Sequence, residues 1–135
     1  MKTIVVLVVT LISWASITLA APIPEGEFSP QSLREGVAQS RTSAPCGDLF
    51  VIQAKQACAA ARAADKNECE ALVPLAARNL CFGVVRSRSA EPCDTPGVLG
   101  IREKVCVGAR SAERGQGCDS LADYSRIVCG AYLKN

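Results

Sequence analysis

The chain has 135 residues, with 15 Lys or Arg against 13 Asp or Glu, a formal net charge of +2, and no His. So near-neutral a balance argues against nucleic acid, heparin or an anionic membrane as the main partner. Absence of imidazole removes the commonest general base near neutral pH and a principal zinc ligand, and most hydrolase mechanisms with it.

Residues 1–20 read as a secretory signal peptide. Lys2 supplies the charged start, Ile4 to Ile12 form an apolar run broken only by Thr10, and Thr18-Leu19-Ala20 offers small residues for cleavage after Ala20. Polar interruptions at Thr10, Ser13 and Ser16, with no basic cluster following, argue against a membrane anchor. Cleavage removes one charged residue, Lys2, and lowers the net charge to +1. It also removes Met1 and Trp14, the single Met and the single Trp. The predicted destination is secreted and extracellular, with no stable membrane insertion.

Residues 21–45 carry four prolines, two glycines and four serines and no sustained apolar period. This composition predicts a flexible N-terminal arm, or a propeptide cut at Arg34 or Arg41. No adjacent basic pair follows residue 20, so the chain does not read as a precursor of several short peptides.

Residues 46–135 form a cysteine-rich repeat domain. Cys46, Cys58, Cys69, Cys81, Cys93, Cys106, Cys118 and Cys129 are spaced by 12, 11, 12, 12, 13, 12 and 11 residues. An even count behind an export signal predicts a disulfide framework. Each of four units holds a cysteine, an acidic residue soon after (Asp48, Glu70, Asp94, Asp119), an apolar segment and a second cysteine. Each unit is read as one helix. The four acidic residues would face its positive end, Thr95-Pro96 would start the third helix, and Pro74 would sit in the first turn of the second. Phe50, Ala54, Ala57 and Ala61 share one helical stripe, as do Leu121, Tyr124, Val128 and Tyr132. Turn-like groups at Asp65-Lys66-Asn67-Glu68 and Arg114-Gly115-Gln116-Gly117 would join antiparallel neighbours.

Two cysteines twelve residues apart on one helix are separated by roughly 18 Å, beyond the ~7 Å reach of a disulfide. Pairing across antiparallel helices is then preferred: Cys46–Cys81 and Cys58–Cys69 in one hairpin, Cys93–Cys129 and Cys106–Cys118 in the next. The predicted fold is all-α, four short helices arranged as two tandem disulfide-stapled antiparallel hairpins.

No C-x-x-C pair supports structural zinc or redox chemistry. A secreted phospholipase would need a His-Asp pair and a glycine-rich calcium loop, and neither is present. The acidic residues form no recognisable catalytic pair and read better as helix caps and turn residues. The expectation is therefore a protein that is not an enzyme and has no catalytic residues, cofactor or metal. Arg62, Arg86, Arg88 and Arg110 recur near the predicted helix ends. They are a candidate basic contact patch, or else complement the negative end of each helix dipole.

From Cys46 to Cys81 the nested C-x11-C, C-x11-C arrangement resembles a helical hairpin of the twin-cysteine kind. The export signal sets the chain apart from the mitochondrial family of that topology, which has shorter spacing. The architecture resembles secreted disulfide-held signalling proteins: ciliate pheromones, attractin-type pheromones and gastropod accessory-gland or seminal proteins. The resemblance implies a messenger that presents a rigid surface to a cell-surface receptor or other extracellular protein. The same scaffold would serve a secreted toxin, antimicrobial or host-directed effector. It would also serve a carrier of a small apolar ligand.

Overall fold

The computed structural model describes residues 24–63 and 65–134, so the signal-peptide reading lies outside the described residues. These residues form six α-helices and one short 3-10 turn at Cys46–Asp48, with no strand. The helices are α1 (Pro30–Ser40), α2 (Ile52–Arg62), α3 (Lys66–Glu70), α4 (Leu75–Ser87), α5 (Gly100–Glu113) and α6 (Asp123–Leu133). None of them is long and apolar enough to cross a membrane.

All eight cysteines are bonded, in sequential pairs: Cys46–Cys58, Cys69–Cys81, Cys93–Cys106 and Cys118–Cys129, with Cα–Cα distances of 5.3 to 5.7 Å. The cross-helix pairs expected above, Cys46–Cys81, Cys58–Cys69, Cys93–Cys129 and Cys106–Cys118, do not form. The distance limit for two cysteines on one helix holds, but the first cysteine of each pair is not on that helix. Cys46 lies in the 3-10 turn, Cys69 in the short α3, and Cys93 and Cys118 in irregular chain. Each unit thus begins with a short helical turn or irregular segment that runs back beside the long helix that follows, stapled to that helix at its middle.

Such returning segments make consecutive long helices parallel rather than antiparallel. Arg62, the last residue of α2, reaches the carbonyls of Gln39 and Ser40 at the end of α1. Arg110, near the end of α5, reaches those of Arg86 and Ser87 at the end of α4. Ser125 in the first turn of α6 donates to Lys104 in the first half of α5 (2.8 Å). Phe28 N, just before α1, donates to the Tyr124 hydroxyl near the start of α6 (3.3 Å). Packing runs α1 on α2, α2 on α4, α4 on α5, α5 on α6 and α6 on α1. The five long helices therefore close into a ring with all N-termini at one mouth and all C-termini at the other. Two tandem antiparallel hairpins are replaced by this arrangement.

The expected flexible arm is, over residues 24–45, part of the ring. Ser29 caps α1, its hydroxyl accepting from Ser32 N (3.2 Å), and Pro30 opens the helix where a missing N–H costs nothing. Leu33 and Val37 are completely buried, and Phe28 nearly so. Pro and Ser here terminate and cap a helix rather than dissolve one.

Residues 29–46 and 76–93 repeat each other at an offset of 47. Ser40 and Ser87 hydroxyls donate to Val37 and Val84 carbonyls, each at 2.6 Å. Thr42 and Ser89 hydroxyls donate to Gln39 and Arg86 carbonyls, each at 2.8 Å. Leu33 and Leu80 fill the same core position, both fully buried. Gly36 and Gly83 also correspond: a Cβ at either would come within 2.5 Å of the side chain on the next helix, Ala57 or Val105. The core is accordingly built from small residues that let helices approach closely, with Leu80, Val84, Val105 and Val128 at its centre.

Candidate functional site

Three surface regions were singled out by the fold, and the first is the C-terminal mouth. The parallel ring brings the candidate patch Arg62, Arg86, Arg88 and Arg110 to this one end, and then spends most of its donors internally. Arg62 binds the carbonyls of Gln39, Ser40, Thr42 and Ala44. Arg110 binds those of Arg86, Ser87, Ser89 and Glu91. Both clamp the exposed carbonyls at a helix end and the segment that leaves it, which is where helix-dipole and hydrogen-bonding arguments place a cation. Arg86 donates to Pro92 O (2.8 Å) and the Thr95 hydroxyl (2.6 Å) and pairs with Glu91 at 3.5 Å. Arg88 is exposed and makes a long bond to Ala63 O (3.5 Å).

Tyr132 stands at the same mouth, with the Arg41 guanidinium 5.0 Å from its ring centroid. Its hydroxyl is buried with no hydrogen-bond partner among the described residues. Burial pushes that hydroxyl up to about 12, while the guanidinium of Arg88, near it but outside hydrogen-bond geometry, pulls the other way. Tyr124, at the opposite mouth, is also pushed up to about 12, chiefly by burial.

The second region is the N-terminal rim. Phe50 is 100 % exposed, and Val51, Ile52, Val73, Leu75 and Leu99 are exposed with it. They immediately precede or open α2, α4 and α5, three helices consecutive around the ring, so parallelism gathers them on one face. The sequence pattern places Phe50 on one helical stripe with Ala54, Ala57 and Ala61. Instead α2 begins at Ile52, and Phe50 belongs to the segment that enters it. A cleft of about 310 Å³ opens on this rim, bounded by Pro24, Phe28, Gln53, Gln56 and Leu75. Beneath it the mouth is closed by Asn79, buried, whose amide donates to Gly26 O (3.1 Å) and accepts from Arg102 (3.0 Å). Arg102 stacks over Phe82, 4.2 Å from its centroid.

The third region is the groove between α6 and α1. Arg34, exposed, faces it together with Arg126 and Lys134.

Asp48, Glu70, Asp94 and Asp119 cap none of the long helices. The first and the last two sit in returning segments, and Glu70 ends α3. Asp65 is the acidic residue that caps, accepting from Glu68 N (3.0 Å) at the start of α3. Thr95-Pro96 does not open a helix, since α5 begins at Gly100 and Thr95 binds Arg86 instead. Among the described residues no group of three or more His, Cys, Asp or Glu is placed to hold a metal. No family model, no curated protein and no solved structure matches the chain.

The rim was not foreseen from sequence, although one signal was available. Phe50-Val51-Ile52 is three apolar residues in a row next to a helix start, more than one helical face can bury.

Proposed function

We propose that this protein is a secreted, non-enzymatic messenger of the pheromone or seminal-fluid type, which acts by presenting a rigid surface to a cell-surface receptor. The observation that carries the reading is the N-terminal rim. Single exposed apolar side chains are ordinary, but Phe50, Val51, Ile52, Val73, Leu75 and Leu99 are gathered at one mouth of the ring, and exposed apolar surface concentrated on one face is of the kind that marks a protein-binding site. Phe50 adds a fully exposed aromatic ring, a side-chain type enriched at the cores of protein interfaces. Four staples and a closed ring hold this patch fixed, so little conformational freedom is lost on binding. Four formed disulfides support an oxidising destination.

A test is available with oxidised protein of residues 21–135. Labelled protein should bind cells of its target tissue saturably and in competition with unlabelled protein. Phe50→Asp combined with Ile52→Asp should weaken that binding at least tenfold, with an unchanged circular dichroism spectrum. Equal binding by the double variant, or turnover of a substrate by the folded protein, would contradict the reading.

A further inference from the structure

The ring breaks its own pattern at one place. Helices α2, α4, α5 and α6 are each stapled at mid-helix, through Cys58, Cys81, Cys106 and Cys129, to the segment that precedes them. Helix α1 has no such staple. By the 47-residue offset that matches Leu33 to Leu80 and Gly36 to Gly83, the position equivalent to Cys81 is Arg34.

No staple crosses the groove between α6 and α1, and a cleft of about 330 Å³ opens there, lined by Arg34, Arg126, Ile127, Gly130, Ala131 and Lys134. A second cleft, of about 280 Å³, lies on the other side of Arg34, between α1 and the segment around Leu49, and also reaches Lys134. Together they form an open track along α1. Its charge is one-sided. The side chains of Arg34 and Lys134 make no hydrogen bond or ion pair among the described residues, while Arg126 holds the Leu121 and Asp119 carbonyls at 2.8 and 3.2 Å. Glu35 is the one carboxylate among the lining residues of the two clefts, and it accepts from Gln31 (3.0 Å).

We propose that this track docks an extended acidic segment of a partner polypeptide. The segment lies along α1 as the chain's own returning segments lie along the other four helices. A carboxylate on Arg34 takes the place that a disulfide holds elsewhere. Apolar contact comes from the half-buried Ile127, and Lys134 takes a second acidic group. The chain's own segments show the form that fits: each carries an acidic residue directly after, or two after, its first cysteine, at Asp48, Glu70, Asp94 and Asp119. This proposal does not depend on the rim, which lies at the N-terminal mouth.

The probe is a fluorescent, N-acetylated peptide copying residues 91–99 with Cys93→Asp, titrated with oxidised protein of residues 21–135 and read by anisotropy. Saturable binding is expected, weakened at least tenfold by Arg34→Glu and weakened again when salt is raised from about 50 to about 500 mM. Phe50→Ser should leave it unchanged, and circular dichroism should show Arg34→Glu folded, since Arg34 is exposed. Absence of saturable binding at millimolar concentration, or indifference to Arg34→Glu, would overturn the proposal. So would binding that appears only after residues 21–23 are removed, which would assign the track to the chain's own N-terminus. A homodimer dissolved by Arg34→Glu would overturn it in favour of a second copy.

Discussion

Arg62 and Arg110 hold equivalent places in the two halves of the ring. Each lies four residues after a stapled cysteine, and each gathers four carbonyls from the end of the preceding helix and the chain leaving it. The acceptors correspond one by one: Gln39 with Arg86, Ser40 with Ser87, Thr42 with Ser89, Ala44 with Glu91. A helix that must turn straight back on itself leaves several carbonyls without intrahelical partners, and a guanidinium with five donors in a fixed fork satisfies them together.

Removing the clamp should therefore destabilise the fold. Arg110→Ala is expected to cost about 2 kcal/mol in denaturant unfolding. Arg110→Lys should recover only a minor part of it, because an ammonium cannot span the same four acceptors. Full rescue by lysine would show that charge at the helix end, and not the fork, is what matters.

Burial of α1 gives a second test. Leu33→Ala should cost about 3 kcal/mol, close to the cost of Leu80→Ala, since the two occupy equivalent, fully buried positions. A negligible effect at Leu33 beside a large one at Leu80 would return residues 24–45 to the status of a loose arm.

Glycine positions should divide by sign. At Gly83 an added Cβ would lie 2.5 Å from Val105, so Gly83→Ala is expected to lose about 2 kcal/mol through overpacking. Gly130, within α6, has nothing within 4 Å of the corresponding point, and Gly130→Ala should gain up to about 1 kcal/mol from helix propensity. Thermal unfolding of the two variants measures both signs.

Both tyrosines of the chain are buried, and each is pushed from 10 up to about 12 in the folded state. The neutral phenol is thus favoured by folding. Its contribution is fully present below pH 10, the unfolded value, and is lost as pH rises through 10 towards 12. Absorbance at 295 nm should show little phenolate at pH 10.5 in native protein and about three-quarters in protein unfolded by denaturant. Equal ionisation at that pH would show that Tyr124 and Tyr132 are not shielded.

Much of the helical content was legible in the sequence, and the topology was not. Leu121, Tyr124, Val128 and Tyr132 were recognised as one stripe; three of them are buried and Leu121 packs against the core. The error came from placing both cysteines of a unit on its helix. Pro45-Cys46, Pro92-Cys93 and Gly117-Cys118 carry the warning, since a proline or glycine just before a cysteine marks a segment outside a helix interior. Helix α1 carries no cysteine to mark it as a member of the repeat, because Arg34 stands in that register. Ser29-Pro30 followed by Leu33 and Val37 was nonetheless a readable start and stripe. The apolar rim and the α6–α1 groove depend on which helices meet and in which direction, and no local pattern encodes that.

The staple pattern is the most direct test of the ring, because each staple ties a helix to its own returning segment. Cleavage after Lys and Arg places every cysteine in a separate peptide, so unreduced tryptic digestion with mass spectrometry reads the pairing outright. The expected linked peptides are 42–55 with 56–62, 67–78 with 79–86, 89–102 with 105–110, and 115–126 with 127–134. Recovery of 42–55 joined to 79–86, or of 56–62 joined to 67–78, would restore the antiparallel hairpin and contradict the parallel ring.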